Sequence, residues 1–321
     1  MKRLLNIGSI NIDYVYRVPH FLRAGETLEA AHRDIFMGGK GLNQSIAAAR
    51  SGLAVTHLGV IGRDGQFLCD FMKESGIDTH FLTIDETSPS GHTVIQVTPD
   101  GENAILYFAG TNHAIDKEVI LKAFKSLDEG DFVLLQNEVN NVGFALENAK
   151  KQNLHTIFNP APYSPEVLNY PLHLVDALIV NETEAQGILG TNSDNEAFLL
   201  NELRKHFPQA LLFLTLGAKG MICDLPVEGG LRLSFNAFRV NAVDTTGAGD
   251  TFVGYAMKAI MAYLTQQDIE KFKALIEEAM LAAAISVTRC GAVPSIPHFE
   301  EVIQFKERRS NHAEKENYHR L

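Results

Sequence analysis

The segment Asp244-Thr245-Thr246-Gly247-Ala248-Gly249-Asp250-Thr251-Phe252 carries the sharpest chemical pattern in the chain. Apolar residues precede it, and a helical stripe of Phe252, Ala256, Ala259 and Tyr263 follows. It therefore joins a strand to a helix start. Gly247, Ala248 and Gly249 are small enough to let the backbone approach a ligand. Their N–H groups at a helix N-terminus make a hole for an anion. Such a hole stabilises the charge that builds on a phosphoryl group in transfer. Asp250, in the same turn, is placed to take a proton from an incoming hydroxyl as a general base. The same residues also suit a plain turn in which Asp250 caps the helix.

A second glycine-rich segment is Gly38-Gly39-Lys40-Gly41-Leu42-Asn43. It is not a P-loop, because Asp34 stands where the first Gly belongs and Gly41 replaces the Ser/Thr after the lysine. What remains is a loop that offers backbone N–H groups, the Lys40 ammonium and the Asn43 amide to a polyol, or a tight turn with a surface lysine. Asn11 and Asp13 follow the first strand, where ligands of α/β proteins gather. Glu138 lies just past a strand ending at Gln136, and with Asp13 it offers carboxylates to sugar hydroxyls.

Asn181-Glu182-Thr183-Glu184 opens a helix after a strand. Asn181 with Glu184 three residues on reads as a capping box. It also reads as an amide for phosphate oxygens, with Glu184 beside a hydrated magnesium. Thr215-Leu216-Gly217-Ala218-Lys219-Gly220 ends another strand in small residues, which suits a nucleotide or a simple turn. The 12 histidines show no metal-ligand spacing, and His312 and His319 are expected in solvent.

Length and composition bound what must hold these groups. The chain has 321 residues, 45% hydrophobic and 21% charged, which excludes a disordered or fibrous chain. Lys and Arg total 28 against 39 Asp and Glu, a formal charge of −11. An acidic surface argues against a nucleic-acid partner. No apolar run reaches the roughly 18 residues of a membrane span. The start, Met1 to Leu5, meets Asn6, Gly8 and Ser9 before any secretory apolar region forms. Cys69, Cys223 and Cys290 are odd in number and far apart, so they are expected as buried, reduced residues in a cytoplasmic protein.

The elements follow from periodicity. Leu4–Ile10 reads as a buried strand, and residues 11–18 alternate as a half-exposed one with a partner over 28–36. A helix follows the glycine loop, with Leu42, Ile46, Ala49 and Leu53 on one face. Strand 55–61 and helix 64–75 come next. Residues 91–98 and 104–109 form a hairpin about the turn 99–103. These alternating stretches predict a small antiparallel sheet apart from the main one. Beyond residue 113, short apolar runs at 131–136, 154–158, 177–180 and 211–216 alternate with helices, which predicts a parallel sheet covered on both faces. Residues 238–243 read as a strand, 249–264 and 268–289 as helices. The segment from Lys306 is dense in charge and is expected exposed or frayed.

Five weak signals in one order make the chain similar to the ribokinase (PfkB-type) family of carbohydrate kinases. Gly8 to Asp13 resembles the family's first sugar-contacting strand end. Gly38 to Gln44 resembles its first signature, Asp244 to Asp250 its second, and Asn181 to Glu184 its phosphate and magnesium motif. Ala282 to Ala292, with Ser295-Ile296-Pro297, is similar to its C-terminal stretch. The likeness runs from about residue 4 to 300. It implies a Rossmann-like three-layer α/β/α fold, mostly parallel, with a small β lid from about 12–37 and 90–110. A single kinase domain over 1–305 would precede a charged tail, 306–321.

The resemblance also implies a chemistry. The γ-phosphoryl of ATP would pass to a sugar hydroxyl, first of all the 5-OH of D-ribose. Asp250 would be the base, with Gly247, Ala248 and Gly249 as the anion hole. Asn11, Asp13, Gly39, Lys40, Asn43 and Glu138 would hold the sugar. Asn181, Glu184, Thr215, Gly217, Gly220 and Gly249 would hold nucleotide, with Glu184 on Mg2+ through water. K+ would sit among Asp244, Thr246, Ser286, Arg289, Gly291 and Ser295. The lid would pair with a second copy in a homodimer.

Two departures bear on the sugar. Asn137 stands where an apolar residue is expected, and the lid carries His92, Gln96 and Tyr107. They leave 2-deoxyribose, a ketohexose or a nucleoside as rival substrates. A non-catalytic sugar binder on the same fold competes from another class, against an intact Asp250 and glycine hole. A nicotinamide oxidoreductase lacks its GxGxxG.

Overall fold

A computed structural model describes the chain over residues 2–318, and its side chains through residue 309. The chain opens with β1 (Leu4–Ile7), β2 (Asn11–Arg17) and β3 (His32–Gly38), then enters α1 (Lys40–Arg50). β4 (Val55–Gly62), α2 (Gln66–Glu74) and β5 (Asp78–Asp85) follow, then the hairpin β6 (Gly91–Val97) and β7 (Asn103–Phe108). Next come α3 (Lys117–Lys125), β8 (Phe132–Gln136), α4 (Val142–Lys151), β9 (His155–Asn159) and β10 (Ala177–Asn181). After them run α5 (Glu182–Leu189), α6 (Glu196–His206) and β11 (Leu211–Thr215). An edge hairpin, β12 (Gly220–Leu225) and β13 (Leu231–Asn236), leads to α7 (Ala248–Gln266), α8 (Ile269–Ser286) and α9 (Phe299–Tyr318).

The short apolar runs become central strands because both their faces are covered. Leu4, Phe132, Leu134, Leu211 and Phe213 pack against Leu42 and Ile46 of α1, Phe252 of α7 and Ile276 of α8. Their neighbours Leu5, Val133, Leu135, Leu212 and Leu214 point the other way, onto Phe124 of α3, Leu146 of α4 and Leu203 of α6. This period of two makes two buried cores around one sheet. The fold is therefore the Rossmann-like three-layer α/β/α arrangement expected from the sequence.

The sheet runs β13-β12-β11-β10-β9-β8-β1-β4-β5, parallel from β11 to β5 and antiparallel through the edge hairpin. The chain leaves β1 toward β4 and β5, then returns on its other side at β8. Ligands of open α/β sheets gather where strand order reverses in this way. Asn11 and Glu138 leave the sheet at that point.

A separate four-stranded sheet, β3-β2-β6-β7, stands over this end. It is not wholly antiparallel as expected, because β2 and β6 pair in parallel. Both rise from the same edge of the main sheet, β2 after β1 and β6 after β5, so they share a direction. The face turned away from Asp13 and Tyr107 exposes Ile35, Leu106 and Phe108, and Ile105 is exposed on the other face.

Two further expectations are corrected. Residues 238–243 form no strand, because the hairpin β12–β13 already completes the edge and the segment lines a cavity instead. Cys69 and Cys223 are buried, but Cys290 is exposed in a surface turn. β5, β12 and β13 had not been read from the sequence. Residues from Lys306 on continue α9 to Tyr318. His312 and His319 lie outside the described side chains.

Candidate active site

The polyol end of the site is built where β1, β8 and α1 meet. α1 begins at Lys40 behind Gly39, whose φ of 93° favours glycine and whose missing side chain leaves the helix uncapped locally. Ser9 and Glu138 supply the caps from elsewhere. Ser9 Oγ accepts from Gly41 N at 3.2 Å, and Glu138 Oε2 accepts from Lys40 N at 3.0 Å and from the Ser9 hydroxyl. Burial raises the Glu138 carboxyl, while Lys40 and Ser9 pull it back.

Asp13 comes from β2 on the lid. Its Oδ1 accepts from Thr93 Oγ1 at 2.6 Å, and burial lifts its carboxyl to about 6. Asn11 is buried, and its Oδ1 accepts from Asn112 Nδ2 at 2.6 Å. Asn112 in turn accepts from Ile10 N at 2.9 Å, so it fixes Asn11 from the foot of the lid. Asn137 faces away from this pocket. It bonds Pro162 O and Ser164 Oγ, and Tyr170 donates to it. Tyr107 donates to Glu138 O at 3.5 Å, and His92 meets Tyr14 edge-on and contacts Phe108 on the opposite face of the lid.

Asp250 is buried at the first turn of α7. Its Oδ2 accepts from Asn43 Nδ2 at 2.8 Å and its Oδ1 from Gln44 Nε2 at 2.9 Å. Each oxygen keeps lone-pair capacity for a further donor. Asn43 Oδ1 is buried with no partner, an acceptor that a hydroxyl ligand would satisfy.

Asp250 opens on a cavity of about 150 Å³ lined by Lys40, Asn181, Glu184, Gly247 and Gly249. Gly247 caps the 19-residue α7 at φ 75°, without a side chain to satisfy the first N–H groups. Ala248 N leans on Thr245 O at 3.3 Å. A Cβ on Gly249 would meet nothing within 4 Å, so any larger residue there projects into the cavity. The Lys40 ammonium is held charged chiefly by Asp250, against burial, with Glu138 and Glu184 adding to it. These donors fit a phosphate chain.

Asn181 and Glu184 form the capping box. Asn181 Oδ1 accepts from Glu184 N at 2.8 Å, and Glu184 Oε2 accepts from Asn181 N at 2.9 Å. The cap leaves the Asn181 NH2 and Glu184 Oε1 for other partners. A second cavity, about 680 Å³ and largely apolar, shares Thr215 and Gly249 with the first and includes Gly217, Gly220, Phe238 and Met280. It fits a flat apolar base. Thr215 and Gly249 join the two cavities, and Asp250 lines the smaller one while its partner Asn43 belongs to the polyol residues.

A family model described as pfkB family carbohydrate kinase matches residues 1–298. The chain belongs to that family. It is 35% identical to a ribokinase of Haemophilus influenzae over 95% of this chain and 99% of the relative. It is 32% identical to a deoxyribokinase of Salmonella typhi over 94% and 98%. The crystal structure of ribokinase from Cryptococcus neoformans in complex with ADP matches with TM-score 0.79 and 30% identity, covering 95% of this chain and 99% of that one. The protein is a carbohydrate kinase.

In this pfkB-family kinase the cation residues named from the sequence gather in two adjoining loops. Asp244 accepts from Thr246 N at 2.9 Å and Gly291 N at 2.8 Å. Burial alone would raise the Asp244 carboxyl, but these bonds hold it below its ordinary value. The hydroxyls of Ser286 and Ser295 donate to Ala283 O and Ala292 O, which leaves their oxygen lone pairs for a cation. An all-oxygen set of this kind fits a hard monovalent ion. The Arg289 guanidinium instead bonds Glu301, so only its carbonyl is left for an ion.

Four residues that touch this machinery, Gln44, Asn112, Gln136 and Asn159, had no role in the sequence reading. Gln44 stands directly after Asn43, so its place in the glycine segment was the available signal. The others are single amides that only the fold brings together. Among the described residues no group of three or more His, Cys, Asp and Glu side chains could hold a metal. No described helix is long and apolar enough to cross a membrane.

Proposed function

We propose that this kinase transfers the γ-phosphoryl group of ATP to the 5-hydroxyl of D-ribose. The observation that carries the reading is the placement of Asp250 between the polyol pocket and the phosphate cavity, with a donor on each oxygen and room for one more. Asn11, Asp13, Gly39, Lys40, Asn43 and Glu138 hold the sugar. Asp13 and Glu138 accept from its hydroxyls, and Asn43 Oδ1 gains its missing donor. Asp250 takes the O5 proton as the O5–P bond forms, and the bond to the β-phosphate bridge breaks to release ADP.

The N–H groups of Gly247, Ala248 and Gly249, with Lys40, stabilise the charge that develops on the transferring group. Thr215, Gly217 and Gly220 flank the base. Asn181 and Glu184 would hold phosphate oxygens and the water shell of Mg2+, which would supply neutralisation of the phosphate charge. Asp244, Thr246, Ser286, Arg289, Gly291 and Ser295 hold K+, which orders the loop behind the anion hole when bound. The lid excludes water, which would otherwise compete as acceptor.

The exposed residues Ile35, Leu106 and Phe108 on one face of the lid support a homodimer through that face. The free thiols support a reducing cytoplasmic setting. The kinase unit spans residues 1–305. The test is product identity. With ATP, Mg2+ and D-ribose, 31P NMR should show ADP and a single phosphomonoester at C5. ATP consumption without that ester would overturn the reading.

A further inference from the structure

Asp250 does not stand alone under the pocket. Gln44 Nε2 gives one N–H to Asp250 Oδ1 at 2.9 Å and the other to Asn159 Oδ1 at 3.0 Å. Gln44 Oε1 accepts from Gln136 Nε2 at 2.7 Å, and Gln136 Nε2 also donates to Asn6 Oδ1 at 3.0 Å. Asn6 Nδ2 donates to Gly41 O and Ser45 Oγ, both at 2.8 Å. Ser45 Oγ meets His57 Nδ1 at 2.8 Å, and His57 Nε2 meets Gly8 O at 3.2 Å. Gln44, Gln136, Asn6, Ser45 and His57 are all fully buried.

The chain has one consistent direction. Gly8 O requires a proton on His57 Nε2, so Nδ1 accepts from Ser45, and Ser45 Oγ accepts from Asn6. Burial drops His57 to about 4, which keeps the ring neutral and this tautomer in place. Asn159 Nδ2 donates to Ile179 O at 2.9 Å, which sets its Oδ1 toward Gln44. A flipped Gln44 would put Oε1 against Asp250 Oδ1 and Asn159 Oδ1, and two N–H2 groups against each other. Backbone carbonyls at both ends thus lock the Gln44 amide with its donor on Asp250. The network is packed tightly enough that a Cβ on Gly8 would stand 2.3 Å from Gln136 Oε1 and 2.6 Å from Gly41 Cα.

We infer that Gln44 is a positioning residue for Asp250, and that the buried amide chain through Gln136 and Asn6 sets its orientation. The inference rests on Asp250 as the base. A donor on a carboxylate favours its ionised form and fixes which lone pair faces the sugar. Asn43 reaches the sugar pocket as well as Asp250, whereas Gln44 faces only Asp250 and the interior. Its loss should therefore act on turnover and not on sugar binding.

The experiment measures kcat and KM against pH, with sugar Kd by calorimetry, in Gln44→Met, Gln44→Glu, Gln136→Met and Asp250→Asn. Gln44→Met should lower kcat about tenfold to a hundredfold. Its sugar Kd should stay within about threefold, and the acid limb of its kcat profile should move upward. Gln44→Glu donates only while protonated and repels Asp250 once ionised, so it should gain an alkaline limb absent from the parent and from Gln44→Met. If Gln44→Met fails to fold, Gln136→Met tests the same link, with a smaller loss of kcat and the same upward limb. A folded Gln44 variant with parental kcat and parental limbs, beside an inactive Asp250→Asn, would overturn the inference alone. An active Asp250→Asn would overturn the base reading instead.

Discussion

Glu138 Oε2 accepts the backbone N–H of Lys40 at 3.0 Å, across 98 residues of sequence. A carboxylate from the end of β8 thereby caps a helix whose own N-cap, Gly39, has no side chain to do so. A negative group at a helix N-terminus is favourable, and this one is also the carboxylate we propose to hold the sugar. The glycine that admits a ligand and the carboxylate that replaces its missing cap belong to one arrangement.

Asp250→Asn should keep sugar affinity within a few-fold while kcat falls by about two to four orders of magnitude, the usual span for a general base. Calorimetric sugar binding and steady-state turnover check this together. Near-parental kcat would take Asp250 out of the base role.

Asp13 is raised to about 6 because burial outweighs its Thr93 bond, and Glu138 adds repulsion. A carboxyl raised on folding stabilises the folded chain below its unfolded value of 3.8, and that contribution is lost as pH rises through about 6. Asp13→Asn should therefore raise the Tm of sugar-free protein at pH 8 and leave it unchanged below about pH 4. The sugar KM should rise at least about tenfold as a charged acceptor is lost. Thermal melts at both pH values check the stability half, and an equal Tm change at both would contradict it.

Replacing sodium with potassium at constant ionic strength should raise kcat, because the loops at Asp244 and Gly291 adjoin the anion hole. Asp244→Ala should abolish that response. A rate that is flat across both salts in the parent protein would refute the cation site.

Leu106 is 71% exposed on the lid face that also carries Ile35 and Phe108. Leu106→Glu should convert a sedimenting dimer to monomer. A parent protein that sediments as a monomer at micromolar concentration would contradict pairing through the lid.

The central strands were legible because burial on both faces demands unbroken apolar runs, as in 132–136 and 211–215. The edge hairpin was harder: Leu231, Leu233 and Phe235 alternate, but the apolar stretch 238–243 beside them competes for the same reading. The places of Asp250 and Asn181 at helix starts followed from helix-start chemistry, which is local. Asn112 and Gln136 were not legible, since each is a lone amide whose partner lies about 100 residues away. Cys290 was misplaced because a cysteine carries no local mark of a surface turn.

The most direct test of the central claim is kcat/KM by ADP release, with ATP, Mg2+ and K+, for D-ribose, 2-deoxyribose, fructose, tagatose and several nucleosides. A site whose Asp13 bonds a 2-hydroxyl should favour ribose over 2-deoxyribose by at least about a hundredfold, since the analogue leaves a buried acceptor unpaired. Equal kcat/KM for those two sugars, or preference for another member of the panel, would contradict the assignment of ribose.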